Sequence, residues 1–147
     1  MRRTILAAGL ATFLLPAVAL AAGTSMSPVV SSKLSGKTEV PKGDRNGTGI
    51  VVLHLNATKR RACWKFKGIK NIGRPQAAHI HKGARGVAGP IVVPLGGAYK
   101  AKGCATAAKK VIVAIEEHPN RYYVNIHNAK YPAGAIRGQL VAGMIGG

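Results

Sequence analysis

The sequence predicts an all-β fold, an antiparallel β-sandwich or Greek-key barrel with one short helix. Three observations carry this. Short runs rich in Val, Ile and aromatic residues recur along the chain, and Gly- and Pro-rich turns such as GARGVAGP and AKYPAG separate them. Only KKVIVAIEEHP has the spacing of two helical turns. No internal repeat and no heptad pattern competes with this reading.

The first element stands apart from the domain. Arg2 and Arg3 precede an apolar run from Ile5 to Leu20 that ends small-x-small at Ala19, Leu20 and Ala21. This is the pattern of a cleaved secretory signal peptide over residues 1–21, with a periplasmic or extracellular destination. Pro16 interrupts the run and no second apolar span follows, so no transmembrane anchor is expected after cleavage. The absence of a cysteine at the expected cut argues against a lipoprotein, and RRTIL loosely resembles a twin-arginine export signal. Residues 22–33, rich in Ser, Thr, Gly and Pro, read as a flexible lead-in or an edge segment. A single β domain over 34–147 follows, of a size that one hydrophobic core supports.

Within that domain, Leu34 to Pro41 leads into a turn-rich loop, KGDRNG, and then a strand over Gly49–Asn56. Ala62–Ile69 alternates, with Trp64 and Phe66 on one face and Cys63, Lys65 and Lys67 on the other, so one side of this strand faces water. Further short strands are expected at Ala77–His81, Ile91–Leu95, Tyr122–His127 and Ala135–Ala142. Lys109–His118 favours strand by its Val and Ile content and helix by its stop before Pro119; a short helix is the preferred reading.

Two cysteines, Cys63 and Cys104, in a chain routed for export predict a disulfide rather than a thiol nucleophile. Loop-closure entropy puts its contribution at about 4 kcal/mol before any strain. The formal charge is +18, and losing Arg2 and Arg3 lowers it by two. The only acids are Glu39, Asp44, Glu116 and Glu117. Such a surface favours acidic polymers or cell-envelope polyanions, and it also serves solubility. The lysines are scattered and only Lys59-Arg60-Arg61 makes a run, so no specific nucleic-acid site is expected.

The chemistry concentrates in His79, His81 and His127. Residues two apart on a strand share a face, so three imidazoles converge if the two strands are neighbours. Ile80, Val124, Ile126, Ile136 and Leu140 are out of phase with these histidines and with Tyr123, Asn125 and Arg137. If the aliphatic residues point inward, the polar set lies on the outer face. Neutral imidazole suits copper or zinc, and the lack of nearby acids excludes calcium and magnesium. The same histidines could instead hydrogen-bond turns. His54 and His118 are expected outside any such site, as an outward residue and a helix-terminal residue. No G-x-S-x-G, Walker loop, zinc-finger cysteine set or separated carboxylate pair is present beyond Glu116-Glu117, so no catalytic residue is assigned.

LSGKTEVP, AAHIHKGARGVAGPIVVPL and NRYYVNIHNAKYPAGAIRGQL together resemble the chordin-type (CHRD) domain across essentially the whole domain. The resemblance implies a stand-alone exported β domain, often with a cysteine pair placed like Cys63 and Cys104. Ala135 departs from it, because the family ending usually carries an acid there; its loss would weaken a site in which that carboxylate orients Arg137 or an imidazole. A weaker resemblance to copper-zinc superoxide dismutase implies copper on His79, His81 and His127 with Arg137 near an approaching anion. No counterpart of that family's bridging histidine or zinc aspartate is evident. The expected function is therefore copper binding. The alternatives are a cationic module that holds acidic polymers without catalysis, and a redox enzyme acting on superoxide or a similar oxidant.

Overall fold

A computed structural model describes residues 28–146. The expected signal peptide and most of the lead-in lie outside these residues. The strands are β1 (Val29–Ser35), β2 (Thr48–Asn56), β3 (Arg61–Lys70), β4 (Pro75–Lys82), β5 (Ile91–Pro94), β6 (Lys102–Thr106), β7 (Tyr122–Asn128), β8 (Ile136–Gln139) and β9 (Val141–Ala142). Among the described residues one α-helix, α1 (Lys109–Glu117), lies between β6 and β7. His118 caps its C-terminus, the helix-terminal place expected for it.

The strands form one antiparallel sheet in the order β5-β4-β7-β8-β1-β2-β3-β6, with β9 paired to β1. The sheet curls until its edge strands β5 and β6 approach each other, giving a nearly closed barrel. Its interior holds the residues that period-two alternation assigns there: Val51, Leu53 and Leu55 of β2, Trp64 and Phe66 of β3, Ile80 of β4, and Val124 and Ile126 of β7. Ile112 and Ile115 of α1 complete this core.

Three expectations need correction. The lead-in to residue 33 is structured from Val29 onward and lies inside the sheet between β8 and β2. Its serines disguise a strand whose Val30 and Leu34 are buried, and the Ser31 hydroxyl donates to the Gly143 carbonyl at 2.7 Å. A strand at Lys102–Thr106, β6, was not expected from KGCAT. It pairs with β3, and a Cβ on Gly103 would come within 2.6 Å of the Trp64 indole, so the strand is built from small residues where the ring lies across it. The final strand is split into β8 and β9, with Leu140 between them buried in the core.

Cys63 and Cys104 are directly opposed in the β3–β6 ladder and form the disulfide. His54 is exposed on β2, as expected. Among the described residues no helix is long and apolar enough to cross a membrane.

Candidate metal centre

The adjacency of β4, β7 and β8 assembles the site. Across these strands His79 faces Asn125 and Asn125 faces Arg137, with Ala77 opposite His127 on one side and His81 opposite Tyr123 on the other. Alternation puts these polar side chains on the face opposite Ile80, Val124 and Ile126, and one potential ligand atom from each of His79, His81 and His127 lies within 4.8 Å of the others.

Much of that outer face is covered, with His79 and His127 half-buried at its margin. His81 is 7 %, Tyr123 2 %, Asn125 1 % and Arg137 2 % exposed. The segment 83–90, between β4 and β5, folds over the face. Gly89 is its anchor: the Nδ1–H of His81 donates to the Gly89 carbonyl at 2.8 Å, and the Gly89 N–H donates to the Tyr123 hydroxyl at 3.0 Å. A Cβ on Gly89 would collide with the Lys82 carbonyl, so only glycine fits there. Arg137 clamps the same segment, donating from Nη1 to the Val87 carbonyl at 3.0 Å and from Nη2 to the Ala84 carbonyl at 3.2 Å. Its guanidinium lies 3.6 Å from the Tyr123 ring centroid. The other side of the stack is His81, whose ring is nearly parallel to Tyr123 at 4.8 Å. Arg137 therefore lies on the outer face with the histidines, as expected, but faces the covering segment rather than solvent.

The backbone also sets which imidazole nitrogens are free. With Nδ1 of His81 bound to Gly89, its Nε2 is buried without a hydrogen-bond partner. His127 donates from Nδ1 to the Pro132 carbonyl at 2.9 Å, which turns its Nε2 inward. That Nε2 lies 3.0 Å from Nδ1 of His79. Two nitrogens each about 2.0–2.1 Å from one ion lie about 2.9 Å apart at a right angle and about 3.4 Å apart at the tetrahedral angle. The 3.0 Å pair already has this spacing, and any pair at the 4.8 Å limit must draw in by about 1.5–2 Å to reach either angle on one ion. Burial, then the neighbouring His127 and His81, push the His79 pKa down to about 4. Burial also lowers that of His81, against the opposing pull of the Gly89 carbonyl. Both imidazoles are thus held neutral near pH 7, the form a metal requires.

An acid missed by sequence reasoning supports the site. Glu39, from the early LSGKTEVP segment, is 4 % exposed; its Oε1 accepts from the Val40 N–H at 3.0 Å and lies 4.0 Å from Nη1 of Arg137. Burial raises its pKa more than Val40, Arg137 and Asn125 together restrain it. The long ion pair is thus too weak to offset desolvation. Ala135 is fully buried in the core, and Glu39 is the carboxylate beside Arg137, so the departure at Ala135 does not leave the arginine without one. The only advance signal for Glu39 was its place in a family segment, because nothing local ties it to histidines so far along the chain. Glu116 and Glu117 lie apart on α1.

No curated protein and no solved structure matches this chain. The profile of the CHRD domain matches residues 30–140, a span from β1 to Leu140 that contains Glu39, the three histidines and Arg137. The chain belongs to the CHRD domain family.

Proposed function

We propose that this CHRD-domain protein is an exported copper-binding protein whose ion is held by His79, His81 and His127. The observation that carries the reading is the pair of backbone carbonyls, Gly89 and Pro132, that occupy Nδ1 of His81 and of His127 and leave each Nε2 free to coordinate. Carbonyl partners of this kind orient metal-binding imidazoles and raise their basicity. The buried Nε2 of His81, with no hydrogen-bond partner, is costly unless an ion or a proton meets it. Copper is preferred over zinc because nitrogen and oxygen donor sets bind Cu(II) more tightly across the divalent series. Export is supported by the disulfide and by the basic, apolar start of the sequence. The test is a copper titration of the purified protein under chelator competition. One tight equivalent supports the reading, and stoichiometry near zero contradicts it.

A second reading rests on a different face. The register places Lys65 directly opposite Lys102, and Lys67 opposite Ile50 of β2, which in turn faces Lys33, all four lysines being exposed on the outer side of β1, β3 and β6. No acid lies on these strands. Like charges placed opposite one another on a sheet repel, and an acidic polymer laid across them would relieve that repulsion. This supports a cationic module that holds acidic polymers, and it is compatible with a copper site on the far side of the sheet order. Redox catalysis has no separate observation in its favour.

A further inference from the structure

We infer that Asn125 supplies a fourth donor atom, its Oδ1, to the ion held by the three histidines; the inference rests on the metal-binding reading above. Asn125 is at the centre of the patch, cross-strand from His79 on one side and from Arg137 on the other. At 1 % exposure its amide has to find all its partners inside the protein. Its Oδ1 lies 2.9 Å from Nε2 of His127. The amide also acts on Glu39, and a Cβ on Gly134 would come within 3.1 Å of its Nδ2 and within 2.3 Å of Oε2 of Glu39. The nitrogen end of the amide is thus on the Glu39 side and the oxygen end is on the histidine side. A bare glycine at 134, with φ of +146°, is what lets the carboxylate sit there.

This orientation leaves a surplus of electron pairs. His127 uses its Nδ1 proton on Pro132, so its Nε2 is a lone pair in the neutral ring. A proton on Nδ1 of His79 can satisfy that lone pair, but Oδ1 of Asn125 has no proton to give and faces the same atom. His81 brings a further unpartnered Nε2. With that proton on His79, two imidazole nitrogens and one amide oxygen compete for it; with the His79 proton on Nε2 instead, three imidazole nitrogens and the amide oxygen all present lone pairs that one cation at their centre satisfies. The separation of 2.9 Å is also that of two neighbouring donors at a right angle on one ion. The resulting set, three nitrogens and one neutral oxygen, carries no charge of its own and would leave a bound divalent ion its full positive charge, with Glu39 as the nearest compensating carboxylate.

The test uses Cu(II) alone on the full-length wild-type protein and on Asn125→Ala, Asn125→Asp and His127→Ala. Asn125→Ala is expected to bind one equivalent with about tenfold to a hundredfold weaker affinity. Pulsed electron paramagnetic resonance in D2O is expected to show an added equatorial water in this variant. Asn125→Asp, which keeps an oxygen at the same place, is expected to keep wild-type water access. In wild-type protein carrying 13C-labelled asparagine, a carbon coupling from Asn125 to Cu(II) is a readout that needs no variant to fold. Unchanged affinity and water content in Asn125→Ala, or no carbon coupling in the wild type, would overturn the assignment while the three-histidine site stood. Failure of the wild type to bind Cu(II) would overturn both.

Discussion

His79 shows how a single residue can be tuned by its neighbours. Its pKa, about 4, is depressed because the folded site desolvates it beside two other imidazoles. Above pH 6.5 the ring is neutral folded or unfolded and contributes nothing to pH dependence. Below that value the unfolded chain takes up a proton that the folded one refuses, so stability falls from pH 6.5 towards pH 4 and then levels off. Glu39, whose pKa is raised by burial, tilts the other way above its ordinary value. Urea unfolding of metal-free wild type and His79→Gln between pH 7.5 and 4 separates the two, and the variant is expected to lose part of the acid-side decline. Residue-level alternation was legible in the sequence here: Ile80, Val124 and Ile126 were assigned to the core and the histidines to the opposite face, as found. The burial of that face was not legible, because the loop that covers it does so through backbone carbonyls and glycine, which leave no hydrophobic pattern to read.

Among the elements, the segment over 83–90 and the β3–β6 ladder each include a tie that a single change removes. Arg137→Ala removes two hydrogen bonds and the stacking on Tyr123, leaving two loop carbonyls without their partner. We expect a loss of about 2–4 kcal/mol in urea unfolding, with faster amide exchange concentrated at 83–89. The disulfide spans 41 positions and fastens the edge strand β6 to β3, so its reduction is expected to cost about 2–4 kcal/mol and to free β6 first. Cys104 is exposed, which lets a reductant reach it, and denaturant midpoints with and without reductant give the measurement. The elements that sequence reasoning missed are β1, where two of the four buried residues are serines, and β6, which has no fully buried residue, so neither shows an uninterrupted apolar alternation. Their strand character is dictated by neighbours: β1 by pairing with both β2 and β8, and β6 by pairing with β3 beneath the Trp64 ring. Propensity has nothing to report at such positions.

For the whole molecule, the order of the sheet separates two surfaces. The histidine patch lies on β4, β7 and β8, while the exposed lysines lie on β1, β3 and β6. A binding assay with an acidic polysaccharide is expected to weaken steeply with salt, and Lys65→Glu combined with Lys102→Glu to flatten that dependence, with copper binding unaffected. Polymer binding that is insensitive to both salt and these substitutions would contradict the second reading. The central claim concerns the other surface, and electron paramagnetic resonance of one equivalent of Cu(II), in wild type and His127→Ala, tests it most directly. The account predicts hyperfine structure from three imidazole nitrogens in the wild type, with one nitrogen lost and weaker binding in the variant. A spectrum that is the same in both proteins, or one of unbound copper, would contradict it.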